Sequence, residues 1–488
     1  MLKLYIKGSE FEYDINALVR EFFPGEEIKL YEDRLGLEEL SFEKEEETDN
    51  IILVQGDLNF NYKIRVKERS IETGALSKEH SLRKSQVKMY LYKLLKEETG
   101  LSMPWGTLTG IRPSKIPMKA MEEGHSKEEI LKLLESEYLV SEDKAKLSIE
   151  VAEKEKKLLD KIKCKNSYSL YIGIPFCPTT CLYCSFTSFP ISAWKNKVDD
   201  YLDVLIKELL FVADKFKGQR LDTIYMGGGT PSTLSPKQFV RVLNCILENF
   251  DLSNLSETTI ECGRPDSITK EKLEAIKRFE FVDRISVNPQ TMNQETLDLI
   301  GRRHSVRDVK EKFYLARELG FDNINMDLIA GLPGENATHM ERTMEEIRAL
   351  KPDNVTVHSL AVKRAARLNL QMDKYKDTLS LDIRAELNIA DKFSRKMGLE
   401  PYYMYRQKNM AGNFENVGYS IPGKEGLYNI LIMEEVQSIV ACGAGTVSKR
   451  VYPDGRIERC DNVKDVGLYI EKIDYMIDRK NELYKEYI

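Results

Sequence analysis

Residues 168–186 read YSLYIGIPFCPTTCLYCSF. The first half is apolar, β-branched and aromatic up to Pro175, which predicts a buried strand over 168–176 running into a loop. Cys177, Cys181 and Cys184 fall in that loop as C-x3-C-x2-C. This spacing lets one compact turn aim three thiolates inward at one point, as an iron–sulfur cluster requires. A structural zinc site usually shows four ligands, often as two separated pairs. The nearest other cysteines, Cys164 and Cys245, do not continue the pattern. Three ligands for a four-iron cluster leave one iron open, a catalytic arrangement rather than a structural one.

The same segment lies within the longest charge-free stretch, between Lys165 and Lys195. Its length alone suits a membrane span. Pro175, Pro178 and Pro190, with several Ser and Thr, argue instead for strand and loop.

Outward from this point the chain alternates apolar strands with stretches of helical length. Five more strands follow: DTIYMGGG (222–229), TTIECG (258–263), RISVNP (284–289), NINMDLIAG (323–331) and NVTVHSLAV (354–362). Between them lie amphipathic stretches such as 198–217, 236–250 and 306–319. Such alternation predicts an α/β unit with a parallel sheet covered on both faces, either doubly wound or an incomplete (β/α) barrel. Unusual residues collect at the carboxyl ends of the strands: Cys177, Gly227–Thr230, Glu261, Gln290 and Asp327. That is where barrel enzymes build their sites, although doubly wound sheets bind ligands there too.

The chain has 488 residues, enough for about three structural units at ~150 residues each. We divide it into an α+β and helical amino-terminal extension (1–165), the βα region (166–375) and a mixed, partly helical carboxy-terminal region (376–488). In the first, 77–98 reads as a helix with a basic face, and helical pattern resumes from Ser126 to about Lys161. In the last, charged helices are expected over Leu379–Met397 and Val463–Tyr487. The acidic EKEEE at 43–47 reads as a solvated loop. Eight cysteines are too few for a disulfide scaffold, and Met1 opens on LKLYIKGSEF, which lacks the features of a secretory signal. The expected compartment is the cytoplasm, with no membrane span. The net charge of −6 argues against a general attraction for nucleic acid.

The cysteine loop resembles that of radical S-adenosylmethionine enzymes. More specifically, YIGIPFCPTTCLYCSF, MGGGTPSTL, the Glu261 strand, RISVNPQTMNQETLDLIGRRH and INMDLIAGLPGE are similar, in that order, to oxygen-independent coproporphyrinogen III oxidases (coproporphyrinogen dehydrogenases). The likeness covers about 168–365, with a looser echo in YRQKNM and GAGTVSK. The first ~165 residues, including PWGTLTGIRPSKI, are similar to the long amino-terminal extension of one branch of that family. The resemblance implies an incomplete (β/α)6 radical-SAM barrel. It implies a [4Fe–4S] cluster on Cys177, Cys181 and Cys184 whose open iron chelates S-adenosylmethionine. Tyr171 and Tyr183 would lie beside that cofactor, and Gly228, Gly229 and Thr230 at its methionine end. Glu261, Gln290, Arg302 and Asp327 would surround the rest of it. Ala361 would touch a second molecule of it, if turnover uses two.

The reaction implied is oxidative decarboxylation of two propionates of coproporphyrinogen III to vinyl groups, giving protoporphyrinogen IX in haem biosynthesis. It needs an electron donor for the cluster. A tetracarboxylate substrate also calls for cations at the barrel mouth, and Lys363, Arg364 and Arg367, then Arg303 and Arg406, are the candidates. Two departures stand out. Phe186 occupies the place of a fourth cysteine, as in the related haem-binding chaperones. ECGRP has one residue more between acid and proline than the family usually shows. The alternatives are therefore a haem chaperone of the same superfamily, or a radical-SAM enzyme with another substrate, such as RNA met by the basic helix. His304 and His358 read as structural.

Overall fold

The computed structural model describes residues 1–33, 50–162, 167–186, 188–363, 366–375, 378, 382–407 and 414–485. The acidic run 43–47, Cys164, Arg364 and the last three residues of YRQKNM lie outside the described residues. The chain divides into two compact units, Met1–Ala152 with Arg406–Phe414, and Glu153–Tyr405 with Glu415–Ile488.

In the first unit a five-stranded sheet runs in the order Ile28–Asp33, Leu2–Lys7, Ile51–Gly56, Tyr62–Val66, Arg69–Glu72. Helices Glu12–Phe22 and His80–Thr99 bury Ile15, Leu18, Val87 and Leu91 against Leu4, Val54 and Ile64 of that sheet, which is the expected α+β unit. The basic face expected on the second helix is partly turned inward. Arg83 donates to the carbonyls of Ser77 and Lys78, and Lys88 donates to Thr109 and lies 3.5 Å from Asp14. The helical stretch expected from Ser126 is two helices, Lys127–Glu137 and Glu142–Leu159; Leu139 between them takes a left-handed φ of 56°, which no helix tolerates.

In the second unit all six expected strands form: β1 (Ser167–Ile174), β2 (Arg220–Gly228), β3 (Glu257–Gly263), β4 (Arg284–Val287), β5 (Ile324–Ala330) and β6 (Asn354–Ser359). They pair in sequence order, each parallel to the next. Helices Val198–Lys215, Pro236–Asn249, Lys270–Lys277, Val306–Glu318 and Ala337–Leu350 make the crossovers. Ser235 and Ser305 open two of these helices with reciprocal capping boxes. Leu170, Ile172, Ile224, Ile260, Ile285, Met326 and Val355 are fully or almost fully buried, the apolar interior that parallel strands covered by helices require.

The six-stranded βα sheet is an incomplete barrel, extended at both edges by the carboxy-terminal region. There the strands are β7 (Glu400–Arg406), β8 (Glu415–Ser420), β9 (Ser438–Cys442), β10 (Val447–Val451) and β11 (Ile457–Asp461). β8 pairs antiparallel with β6, and β9 pairs parallel with β1, so the eleven strands run β7-β8-β6-β5-β4-β3-β2-β1-β9-β10-β11. The charged helix expected from 379 begins at Ile383, and the last helical stretch is split into Val466–Glu471 and Ile473–Leu483. No helix among the described residues is long and apolar enough to cross a membrane.

Candidate functional site

Pro175 ends β1, and the chain turns into the cysteine loop. The ends of the loop are clamped where Phe176–Cys177 pairs with Phe189–Pro190. Its middle is fastened by Leu182, whose N–H donates to the Ile300 carbonyl and whose side chain packs with Leu297, Ile300, Ile329, Leu332 and Leu360. One apolar residue inside C-L-Y-C thus anchors the loop that carries the thiols.

Cys177 and Cys181 are buried and Cys184 is half-buried. Burial pushes the Cys184 thiol up to about 11, and the facing Cys181 and Cys177 add to the shift. Cys177 is also raised by burial, against the Thr230 hydroxyl, which lies 3.3 Å from its sulfur. Thiolates crowded into one pocket repel one another, and a bound metal supplies the positive charge that holds them deprotonated. Two buried guanidiniums, Arg264 and Arg302, face the same loop, which suits a net-negative cluster. Among the described residues no three His, Cys, Asp or Glu side chains are grouped tightly enough for a single metal ion. A four-iron cluster does not ask for that, because each thiolate binds a different iron. The donor set and its surroundings fit such a cluster.

β2 ends in the glycine run. Gly229 donates its N–H to the Ile174 carbonyl at 2.8 Å, and Thr230 donates to Phe176 at 2.7 Å. A Cβ on Gly229 would stand 2.7 Å from the Phe176 carbonyl oxygen, so only glycine fits this approach. The Gly228 N–H serves the Glu261 carboxylate. The glycines therefore weld β2 to β1 and to the acid of β3.

Tyr171 lies beside the stacked pair Tyr225 and Tyr428, its ring 6.0 and 6.2 Å from theirs, and the Tyr225 hydroxyl donates to Glu261. Burial pushes the Glu261 carboxyl up to about 7, the nearby Asp327 adds to this, and the Tyr225 hydrogen bond opposes it. The extra residue in ECGRP is absorbed by a bulge in the β3–β4 pairing between Glu261 and Gly263, with Gly263 at φ 60°.

Asp327 on β5 behaves oppositely. Burial acts to raise it, but the His358 imidazole, the Asn325 amide and the Arg284 guanidinium hold it below the ordinary carboxylate range. Asn325 donates to Asp327 at 2.7 Å, and His358 Nε2 stands 3.8 Å away. Gln290 takes a left-handed φ of 71°, unusual for a residue other than glycine, and is fixed by donating to the Asp327 carbonyl and accepting from the Ile329 N–H, both at 2.9 Å. Arg302 donates to the Asn288 carbonyl at 2.8 Å and to the Tyr183 hydroxyl at 3.1 Å, while its buried Nε has no protein partner. Ala361 is half-buried just beyond the end of β6.

The expected residues thus meet in three groups at one end of the barrel: Cys177 with Thr230; Tyr171, Gly228 and Glu261 with Asp327 and Gln290; Tyr183 with Arg302. Sequence reasoning passed over Tyr225, Tyr428, Asn325 and Arg264. It also took His358 as structural; because Asp327 pairs with Thr356 in register, His358 shares the face of Asp327, a signal that strand parity would have supplied. Among the expected cations, Arg303 and Arg367 are exposed, and the Lys363 ammonium lies 5.7 Å from the Phe186 ring centroid. Arg406 is a correction. It is buried within the amino-terminal unit, donating to the Leu108 carbonyl and pairing with Glu21 at 3.2 Å, and so is unavailable as a rim cation.

The sequence profile of the radical SAM superfamily matches residues 171–347. The chain is 41% identical, over 80% of its length and 79% of the relative's, to the oxygen-independent coproporphyrinogen-III oxidase-like protein HemZ of Bacillus subtilis (strain 168). The chain belongs to this radical SAM family. Its cofactors are accordingly a [4Fe–4S] cluster and S-adenosylmethionine. The radical SAM chain is also 38% identical to the haem chaperone HemW of Bacillus subtilis (strain 168), over 40% of its own length and 51% of the chaperone's. With the oxygen-independent coproporphyrinogen III oxidase of Escherichia coli (strain K12) it shares 33% identity over 40% of its length and 42% of the oxidase's. The solved Escherichia coli oxidase HemN superposes with a TM-score of 0.52 at 22% identity, over 66% of this chain and 72% of that one, a likeness of fold.

Proposed function

We propose that the chain is an oxygen-independent coproporphyrinogen dehydrogenase, oxidatively decarboxylating coproporphyrinogen III to protoporphyrinogen IX with a one-electron donor for its cluster. The single observation that carries this reading is the likeness to the oxidase-like HemZ protein, 41% identical over 79% of that protein, against 28–38% identity over 51–72% of the haem chaperones HemW of Bacillus subtilis, Lactococcus lactis and Escherichia coli.

In this reading Cys177, Cys181 and Cys184 hold the cluster. When bound, the cluster and S-adenosylmethionine supply one-electron cleavage of a sulfonium and, through it, hydrogen abstraction from an unactivated carbon. The chain's own residues orient and shield that chemistry. Asp327, kept ionised, accepts hydrogen bonds from cofactor hydroxyls. Glu261 offers a carboxylate to a cationic ligand, and its high intrinsic cost of ionisation makes that pairing stronger once formed. Arg302 holds Tyr183 and keeps its free Nε for the cofactor, while Gln290 presents its amide from a backbone already locked by β5. Lys363, Arg367 and Arg303 would meet the substrate carboxylates.

A second reading, a haem chaperone, draws support from Phe186, which is 70% exposed where decarboxylases of the best-known type carry a fourth cysteine. Anaerobic incubation of the reconstituted protein with S-adenosylmethionine, a reductant and coproporphyrinogen III separates the two. The dehydrogenase reading expects 5′-deoxyadenosine and protoporphyrinogen. Stable haem binding with no porphyrinogen turnover defeats it in favour of the chaperone.

A further inference from the structure

Arg264 is the residue that the extra position in ECGRP brings into the barrel mouth. The bulge between Glu261 and Gly263 shifts the chain at the end of β3, and the Gly263 carbonyl is then tied to the Asn288 N–H at 2.7 Å. The Arg264 carbonyl is pinned in turn by the Ser267 N–H at 3.0 Å and the Ser267 hydroxyl at 2.7 Å. The backbone on both sides of the side chain is therefore fixed.

The side chain is only 3% exposed. Its Nε and Nη2 form a two-pronged pair with Asp266, at 3.0 and 2.8 Å. Its Nη1 points into the cysteine loop, donating to the Thr179 carbonyl at 3.0 Å and the Thr179 hydroxyl at 2.7 Å, and reaching the Cys181 sulfur at 3.7 Å. A structural arginine would be satisfied by Asp266 and the Thr179 carbonyl alone. This one also brings a permanent, desolvated charge to the sulfur of a cluster cysteine.

Hydrogen bonds and positive charge at a cluster sulfur favour the reduced, more negative state, because the added electron density falls largely on iron and sulfur. We propose that Arg264 is a positioning residue that fixes Cys181 and raises the reduction potential of the cluster, with Asp266 opposing it by partly neutralising the guanidinium. Uptake of one electron from a low-potential donor becomes easier. The inference rests on the reading that Cys177, Cys181 and Cys184 hold the cluster, and is independent of which substrate is used.

The test is an electron-paramagnetic-resonance redox titration of the full chain, reconstituted anaerobically, as wild type, Arg264→Gln, Arg264→Lys and Asp266→Asn, with iron and sulfide measured on each. Arg264→Gln should reduce the equilibrium constant for reduction tenfold or more, a fall of at least ~59 mV for one electron. Arg264→Lys should fall less. Asp266→Asn should move the potential upward, because the guanidinium then lacks its counter-charge. Wild-type potentials in both Arg264→Gln and Asp266→Asn, or shifts of the same sign in the two, overturn the proposal. Should Arg264→Gln lose its iron, the sign in Asp266→Asn decides: an upward shift supports the proposal and no shift defeats it. A wild-type protein that takes up no cluster would instead defeat the cysteine reading on which the proposal stands.

Discussion

Two glutamates of the barrel unit, Glu208 buried and Glu261 half-buried, face opposite fates. Glu208, on the helix after β1, is completely enclosed and accepts hydrogen bonds from the Gly443 N–H, the Asn462 amide, the Tyr469 hydroxyl and the Lys480 ammonium. Lys480, equally enclosed, spends its remaining reach on Asn462. Glu261, at the mouth, is served by Tyr225 and Gly228 but among the described residues has no cation in contact, and burial raises its carboxyl to about 7. Arg302, in the group with Tyr183, likewise keeps an unpartnered Nε. A closed polar network locks the carboxy-terminal helices onto the barrel; an open one waits for a ligand.

The sharpest break of this comparison is at the cysteines. Cys181→Ala should abolish cluster assembly, seen as loss of iron and of the cluster absorbance, and with it all cleavage of S-adenosylmethionine. Next comes Glu208→Ala, which strands the Lys480 charge in the interior and should cost about 3–5 kcal/mol in chemical denaturation. Glu261→Gln, by contrast, should leave folding stability at pH 8 unchanged or higher, since the wild-type carboxyl is there ionised at a cost, yet weaken S-adenosylmethionine binding. Asp327→Asn removes a charged acceptor that the fold holds ionised, and should weaken cofactor binding about 10- to 100-fold in equilibrium dialysis, with a loss of folding stability at neutral pH because the depressed carboxyl stabilises the fold there.

The smallest effect is a pH profile. Because the Glu261 carboxyl is raised to about 7, it is mostly neutral below that pH and charged above it. Affinity for the cationic cofactor should therefore rise as pH increases from 6 to 8. In Glu261→Gln the slope across that window should flatten. A wild-type profile as flat as the variant's would remove Glu261 from the binding group.

All six strands were legible because parallel strands buried on both faces leave uninterrupted apolar runs, and the cysteine loop was legible because its spacing is local. What escaped was set by pairing across the sheet. His358 meets Asp327 only through the β5–β6 register, and Tyr428 joins the tyrosine stack from a helix that follows β8, far along the chain. The bulge that carries Arg264 inward appears in sequence only as one residue too many. Arg406 misled for a related reason: it is the last residue of a strand of the barrel sheet, yet its guanidinium is spent inside the amino-terminal unit.

The most direct test is the electron-paramagnetic-resonance spectrum of the reduced, anaerobically reconstituted chain before and after adding S-adenosylmethionine. Binding at an iron left open by three cysteines predicts a changed cluster signal in the wild type, a weaker change at equal cofactor in Asp327→Asn, and no cluster signal in Cys181→Ala. A wild-type spectrum indifferent to S-adenosylmethionine, or a Cys181→Ala protein with full iron and an intact signal, contradicts the account.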